Sequence, residues 1–156
     1  MIFATVGTQL PFPRLMEALN DLAPELADDV IAQTGPETGP WPNLDIRPSL
    51  TPAEFDDMFR TARVIVAHAG IGTILSAKRH GKPLIVLPRR HALGEHRNDH
   101  QLATAKQVDA LRGIHVAWET GDLKSLLATP DLTAADESPS PSHDALIGRL
   151  RSFIDT

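Results

Sequence analysis

A glycine-rich segment follows an apolar run near the middle of the chain. Gly70-Ile71-Gly72-Thr73 comes directly after Val64-Ile65-Val66-Ala67 and His68, and a helical pattern follows it. Glycines let a backbone approach a ligand closely, and the free N–H groups and dipole of a helix N-terminus favour an anion. The segment therefore predicts a phosphate site with the Thr73 hydroxyl as a further donor, and a tight turn without a ligand is the alternative. His68 is suited to donate to the phosphate or to act as an acid or base, unless it is a core histidine.

Two common nucleotide-binding motifs do not fit this segment. A P-loop needs Gly-Lys followed by Ser or Thr, whereas Gly81-Lys82-Pro83 lacks the hydroxyl residue and lies at the wrong end of the helix. A dinucleotide-binding fingerprint needs a third glycine near Leu75 and an acidic residue about 20 residues later, where the chain has Arg89 and Arg90. NAD binding is therefore disfavoured.

A basic loop rich in histidine lies further along the chain. His91, His96 and His100 fall within ten residues, and the chain has no cysteine. Because these histidines have no recognised ligand spacing, we expect no metal there. Asp99 and Gln101, at the predicted start of a helix, are suited to bind the hydroxyls of a sugar, although Asp99 is equally suited to cap its own helix.

The residues described above must be positioned by regular secondary structure. Along the chain, short apolar runs alternate with stretches of helical periodicity. This alternation predicts βα units, and hence an α/β fold with a single Rossmann-like domain, a mainly parallel sheet and helices on both faces. The predicted strands are Ile2–Val6, Val30–Ala32, Leu44–Arg47, Val64–Ala67, Leu84–Leu87 and Ile114–Ala117.

Four helices are predicted between these strands. The first has apolar positions at Leu15, Met16, Leu19 and Leu22. The second opens at Thr51-Pro52-Ala53-Glu54, which has an N-cap, a proline at the first helical position and a capping-box glutamate. The others are expected from about Thr73 to His80 and from about Asp99 to Leu111.

The end of the chain differs in composition from the rest. Residues 128–142 are rich in Pro, Ser and acidic residues, which indicates an exposed linker. Apolar residues then recur at helical spacing, which predicts an amphipathic helix over residues 143–156. We therefore divide the chain into a domain over residues 1–127, a linker and a terminal helix whose apolar residues are Leu146, Ile147, Leu150, Phe153 and Ile154.

Composition limits the class of function. The chain has 156 residues, a size that fits one compact domain. Its formal charge of −5 gives no general attraction to nucleic acid. No apolar stretch approaches the roughly 20 residues that span a bilayer, and the N-terminus lacks the pattern of a signal peptide. We therefore expect a cytoplasmic protein without a nucleic-acid partner.

Taken together, three segments and the first turn resemble the donor-binding C-terminal domain of family 28 glycosyltransferases. The segments are residues 64–75, Gly81–Pro88 and Asn98–Gln101, and Val6-Gly7-Thr8 resembles the first glycine turn of that family. The resemblance covers roughly residues 1–120 and implies one half of a GT-B fold. It extends to the small cytosolic subunits of split enzymes, one in dolichol-linked glycan assembly and one a bacterial exopolysaccharide glucuronosyltransferase.

The resemblance implies a UDP-sugar donor and assigns a set of residues to it. Relatives commonly hold the ribose hydroxyls with a glutamate where this chain has Ser76, so the contact to ribose stays open. The implied contacts are Gly7, Thr8, Gly70, Ile71, Gly72 and Thr73 for the diphosphate, Ser49, Leu50 and Ser76 for uracil and ribose, and Asn98, Asp99, His100 and Gln101 for the sugar.

The resemblance also implies a mechanism and partners. It suggests inverting transfer without a metal or other cofactor, with His68 stabilising the leaving group and the catalytic base on a partner. The partner would be a membrane-anchored subunit that carries a lipid-linked saccharide acceptor and binds the terminal helix, forming a heterodimer at the membrane. The alternatives are a non-catalytic nucleotide-sugar module and a small hydrolase or epimerase. The transferred sugar stays open among hexose, N-acetylhexosamine and uronic acid, whose carboxylate the basic loop would suit.

Overall fold

In the described part of the chain, six parallel strands form a single sheet in the order β3-β2-β1-β4-β5-β6. The computed structural model describes residues 1–7, 10–37 and 39–135. β1 lies at the centre, where Ile2 is in register with Val30 of β2 on one side and with Val64 of β4 on the other. The strands are β1 Ile2–Thr5, β2 Val30–Gln33, β3 Asp45–Arg47, β4 Val64–His68, β5 Leu84–Leu87 and β6 Ile114–Val116.

Within the residues that the structure describes, five α-helices cover the two faces of the sheet. Successive side chains of a strand point to opposite faces, and β1 shows this directly. Ile2 and Ala4 belong to a core that contains residues of α1 and α5, whereas Phe3 belongs to a second core with residues of α2, α3 and α4. The helices are α1 Pro13–Leu22, α2 Pro52–Thr61, α3 Ile71–His80, α4 His100–Val108 and α5 Asp122–Leu127.

The structure confirms the predicted fold class, a Rossmann-like domain with a parallel sheet and helices on both faces. The strongest local prediction holds in detail, since Thr51 accepts from the Glu54 N–H and Glu54 accepts from the Thr51 N–H. Five of the six predicted strands differ from the observed strands by one residue at one end. The larger differences are in two helices, since α3 begins at Ile71 instead of Thr73 and α4 ends at Val108 instead of Leu111. Helix α5 was not predicted.

The segment after α5 returns to the sheet. Most of residues 128–134 are exposed, but Ala135 is buried in the core beneath α3 and α4. Its N–H donates to Lys82 O at 3.1 Å, and Thr133 O lies 3.0 Å from Nε2 of His115 in β6. The predicted linker is thus attached to the domain at Ala135. The terminal helix expected over residues 143–156 lies outside the described residues, so the division of the chain stays a prediction.

Short strands form both edges of the sheet. β3 and β6 have three residues each, and in β3 the Arg47 guanidinium pairs with Asp45 at 3.1 Å. Within the described ranges, no helix combines the length and apolar character needed to cross a bilayer.

Candidate functional site

A cavity of about 820 Å³ opens at the carboxyl ends of β1 and β4. The chain order reverses between these two strands, and open α/β sheets bind ligands at such a point. Its size is within the range of small-molecule sites. The cavity is lined by Thr5, Val6, Gly7, Leu10, Gln33, Ser49, Leu50, Phe55, His68, Ala69, Gly70, Ile71, Gly72, Thr73, Ser76, Arg89, His96, Arg97, His100, Gln101 and Thr104.

The glycine-rich segment forms the first turn of α3 at the wall of this cavity. Gly70 is the N-cap residue, and no side chain caps the helix. The first N–H groups of a helix have no partner within it, so those of Ile71, Gly72 and Thr73 are available to a ligand. This turn therefore has the backbone donors and the dipole that an anion needs.

The imidazole of His68 lies between two glycines. A β-carbon at Gly7 would lie 2.9 Å from His68 Nε2, and one at Gly70 would lie 3.0 Å from the same atom and would overlap Cε1. Gly7 also has a φ of 79°, in the left-handed region that favours glycine. These two positions are glycine because the ring fills the space that a side chain would take.

The hydrogen bonds of His68 define which ring nitrogen carries the proton. Arg89 Nη1 lies 3.2 Å from His68 Nδ1 and, as a guanidinium, is always a donor. Gln101 Oε1 accepts from the Arg89 N–H at 3.0 Å, so its Nε2, 3.3 Å from His68 Nδ1, is a second donor. Because two donors are directed at Nδ1, the proton of the neutral ring lies on Nε2, the nitrogen that lies between Gly7 and Gly70.

The charge state of His68 follows from the same surroundings. Burial and the neighbouring charges of Arg89 and His96 lower the pKa of His68 to about 3. The ring is therefore neutral at physiological pH, and it is a poor base because Nδ1 is already occupied. What it offers to a ligand is a fixed Nε2–H donor.

Arg89 is a buried cation at the inner end of the cavity. Its Nη2 donates to Val6 O at 2.7 Å and to Leu10 O at 2.6 Å, and the guanidinium lies 5.0 Å from the centre of the Phe12 ring. Burial lowers the pKa of Arg89 to about 10, so it keeps its charge at neutral pH. Among residues 1–7, 10–37 and 39–135 it forms no ion pair. Its positive charge is thus left for an anion in the cavity.

The basic loop between β5 and α4 is held in place by its own acidic residues. Glu95 binds the Arg14 guanidinium at 2.8 and 2.9 Å and accepts from the Arg90 N–H at 3.0 Å. Asp99 Oδ1 accepts from the His91 N–H at 2.9 Å. These bonds fix the loop against α1 and direct both carboxylates away from the cavity.

The structure brings most of the expected site residues together. Gly7, the turn of residues 70–73, His68, His100 and Gln101 line one cavity, as do the residues expected near uracil and ribose, Ser49, Leu50 and Ser76. Thr8 lies outside the described residues.

Asn98 and Asp99 are not brought to the cavity, in contrast to what we expected. Asn98 Oδ1 accepts from the His100 N–H at 3.0 Å, and Asp99 bonds to the loop as described. Asp99 occupies the N-cap position of α4 without a capping hydrogen bond of its own, so neither of its expected roles is observed. Both side chains thus accept hydrogen bonds from nearby backbone N–H groups instead of facing the cavity.

Several cavity residues were not singled out from the sequence. Thr5 and Gln33 end β1 and β2, and the Thr5 hydroxyl donates to Gln33 Oε1 at 2.7 Å while Gln33 Nε2 donates to Pro48 O. Their position at the carboxyl ends of two neighbouring parallel strands is the signal that would have identified them as cavity residues. Arg89 and His96 were recognised as members of a basic loop, but their places in the cavity were not predicted.

The ionised side chains that line the cavity are positive. Across the part of the chain that the structure describes, the lining contains Arg89 and Arg97 and no aspartate or glutamate, and of its three histidines, His68 is neutral and the pKa of His96 is lowered by burial. In that same part, no group of three or more His, Asp and Glu side chains is arranged to hold a metal ion. The cavity is therefore built for an anionic ligand.

Comparisons with known proteins agree with this chemistry. The sequence matches the family model described as "Glycosyltransferase family 28 C-terminal domain" over residues 1–129. No curated protein sequence matches the chain.

Among solved structures, the fold is similar to that of ALG13, with a TM-score of 0.62 and 20% identity over 94% of each chain. It is similar to the glycotransferase of kitacinnamycin, with a TM-score of 0.61 and 20% identity over 97% of this chain and 39% of that one. It is also similar to SsfS6 from Streptomyces sp. SF2575, complexed with thymidine diphosphate, with a TM-score of 0.52 and 20% identity over 99% of this chain and 36% of that one. The chain thus spans little more than a third of these two glycosyltransferases, and its fold is one half of a GT-B fold.

Proposed function

Because the chain belongs to the glycosyltransferase family 28 C-terminal domain family, we propose that it is the donor-binding half of a glycosyltransferase and holds a UDP-sugar in the cavity beside β1 and β4. One observation carries the proposal. A neutral His68 with a fixed Nε2–H and a buried Arg89 stand beside the uncapped start of α3, in a cavity whose described lining contains no carboxylate. A diphosphate satisfies all three groups.

The rest of the donor would occupy the two sides of the cavity. Uracil and ribose fit the side formed by Ser49, Leu50, Phe55 and Ser76, where an apolar ring lies next to hydroxyl groups. The sugar fits the opposite side, where His100 and Gln101 begin α4. Asn98 and Asp99 would support this side indirectly by fixing the turn that precedes α4.

In the proposed reaction, the oxygen of an acceptor hydroxyl attacks the anomeric carbon on the face opposite the diphosphate. The new C–O bond forms as the bond from that carbon to the β-phosphate oxygen breaks, so the configuration inverts and UDP leaves with the electron pair. The charge of the leaving phosphate is stabilised by the N–H groups of α3, the His68 Nε2–H and Arg89. No metal is needed for this stabilisation, since the cavity supplies these positive groups itself.

The proton of the acceptor hydroxyl needs a base to receive it. His68 is unsuited to this step, because two donors occupy its Nδ1 and its pKa is about 3. We place the base on the acceptor-binding half. By the resemblance to split enzymes, that half is a membrane-anchored subunit with a lipid-linked saccharide acceptor, which would hold this chain at the cytoplasmic side of the membrane, in part through residues 143–156.

The state of His68 bears on one rival of this function. A self-sufficient hydrolase or epimerase needs an acid or base in the cavity, and since His68 is held as a neutral donor, such an enzyme would have to use His96 or His100 of the histidine loop, which also line the cavity. A module that binds nucleotide-sugars without catalysis has the same cavity, and it differs from the proposal only in lacking turnover with a partner.

Calorimetry with UDP and UDP-glucose tests the binding half of the proposal. The chain should bind UDP without added metal, and His68→Ala should weaken binding about tenfold or more through the loss of a hydrogen bond to a charged group. His115→Ala is the matched control, because His115 does not line the cavity. Equal affinity of the two variants would contradict the site.

Co-expression with a neighbouring membrane subunit tests the catalytic half. We expect sugar transfer by the pair and none by the chain alone. Failure to bind UDP in either preparation would refute the proposal, and turnover by the lone chain would favour a self-sufficient enzyme.

A further inference from the structure

The outer part of the cavity has a positive charge, that of Arg97, which the diphosphate site does not use. Along the loop that forms it, the two carboxylates are committed elsewhere, Glu95 to Arg14 and to the Arg90 N–H, and Asp99 to the His91 N–H. His96, Arg97 and His100 line the cavity next to them. The two carboxylates of the loop are thus directed to the protein, and these three basic side chains to the cavity.

The three arginines of this loop differ in how they are used. Arg89 is bound to Val6 O, Leu10 O and His68, and Arg90 donates to Trp118 O at 2.7 Å. Arg97 is exposed and has neither a hydrogen bond nor an ion pair to any residue that the structure describes. Two hydrogen bonds fix the backbone around it, His91 Nδ1 with His96 O at 3.1 Å and Asn98 Oδ1 with the His100 N–H at 3.0 Å. An unpaired guanidinium on a fixed turn at the edge of a ligand cavity is a ready partner for a carboxylate.

The basic side chains of the cavity, of which His68 is neutral and Arg89 is charged, form a series that leads outward from the turn of residues 70–73. His68 lies against Gly70, and the charges that act on it are those of Arg89 and His96. His96 lies further out, where Arg97 and His100 also act on it. A diphosphate bound at the turn of residues 70–73 would therefore contact His68 and Arg89. Arg97 lies beyond the diphosphate, on the side where α4 begins and where the sugar is expected.

We propose that Arg97 is a specificity-determining residue that favours donors whose sugar carries a carboxylate. The inference rests on the proposed function, since it needs a nucleoside diphosphate on the glycine turn. A guanidinium binds a carboxylate through two parallel hydrogen bonds, and a hydroxymethyl group at the same carbon offers no charge to meet it. The preferred substrate class is therefore a UDP-uronic acid.

Calorimetry with UDP, UDP-glucose and UDP-glucuronate tests this directly, because the two sugars differ only in a hydroxymethyl group against a carboxylate. The wild-type chain should bind UDP-glucuronate about ten- to a hundredfold more tightly than UDP-glucose, the range for a hydrogen bond to a charged group. Arg97→Gln should bring the two affinities together while leaving that for UDP unchanged. Arg112→Gln is the control, since it removes the same charge from an exposed residue outside the cavity lining.

Three outcomes would count against the inference, and each has its own meaning. If UDP itself does not bind, the proposed function fails first. If UDP binds but UDP-glucose binds as well as UDP-glucuronate, the cavity does not select a carboxylate. If Arg97→Gln weakens all three ligands equally, Arg97 serves the diphosphate and not the sugar.

Discussion

Replacing Gly70 by alanine is the sharpest test of how the site is built. The backbone at Gly70 has φ −104° and ψ 138°, an extended conformation that any residue adopts, so alanine introduces no backbone strain. The added β-carbon would instead overlap Cε1 of His68. Gly72, two residues later in α3, has no atom within 4 Å of the same added carbon. Gly70→Ala and Gly72→Ala are therefore the same chemical change with opposite steric results.

The magnitude follows from what His68 must give up. If the ring moves, its bonds to Arg89 and Gln101 are lost, at about 1 kcal/mol each, and crowding in a packed region costs about 1–3 kcal/mol. We expect Gly70→Ala to lower the free energy of unfolding by roughly 3–5 kcal/mol. Gly72→Ala should raise it by about 0.5–1 kcal/mol, because alanine is favoured over glycine within a helix.

Urea unfolding of both variants, and of Gly70→Ala combined with His68→Ala, measures these terms. Without the imidazole there is nothing for the new methyl group to meet, so Gly70→Ala should cost less than about 1 kcal/mol in the His68→Ala background. The double-mutant cycle should thus give a coupling of about 2 kcal/mol or more between the two positions.

Two results would refute this reasoning. One is a Gly70→Ala variant that is as stable as Gly72→Ala, which would mean that the His68 imidazole is not fixed between Gly7 and Gly70. The other is an equal cost of Gly70→Ala with and without the imidazole, which would place the effect elsewhere.

Two further predictions concern stability. Gly113→Ala should lower the free energy of unfolding by about 1–3 kcal/mol more than Gly94→Ala in the same urea assay. Both glycines have a left-handed φ, but only a β-carbon at Gly113 would overlap the backbone of Ala135. Equal losses of stability in the two variants would show that the segment before Ala135 is not packed against Gly113. His68 should make the protein sensitive to acid, since its pKa is about 3 in the folded state and 6.5 ordinarily. Between these values the unfolded chain binds one more proton, so stability falls as the pH is lowered through this window. At about pH 5 the loss amounts to roughly 2 kcal/mol relative to neutral pH, and unfolding curves of His68→Asn should lack that part of it.

The glycine turn could be predicted from the sequence because its determinants are local. A β-branched run, two glycines and a helical pattern follow each other within about 20 residues, and the position of a ligand at the end of a parallel strand then follows from the fold. The pairing of the turn with Gly7, Ser49, Leu50 and Gln101 came from the resemblance to a family and not from spacing.

The role of Arg89 could not be predicted, because its partners are distant in sequence. Val6 O and Leu10 O are 83 and 79 residues away, and an arginine in a basic loop is ordinarily exposed. Asn98 and Asp99 were misplaced for the opposite reason, since short polar side chains bind nearby backbone groups before they reach a ligand.

Helix α5 and the attachment at Ala135 escaped prediction because they are small. Six residues give too few apolar positions to define a period, and of these Leu123 and Leu127 are the buried ones. One buried alanine in a Pro- and Ser-rich stretch leaves no pattern at all.

The short edges of the sheet have a consequence for how copies of this chain behave in concentrated solution. An exposed strand edge is a template for pairing with another molecule, and long flat edges promote aggregation. Here each edge strand spans only about 10 Å. At one edge an added strand would have to lie beside the charges of Asp45 and Arg47, and at the other the residues around Thr133 lie beside His115. A chain with this sheet is thereby protected against growth into fibres, and we expect it to contact other molecules through its loops and helices instead.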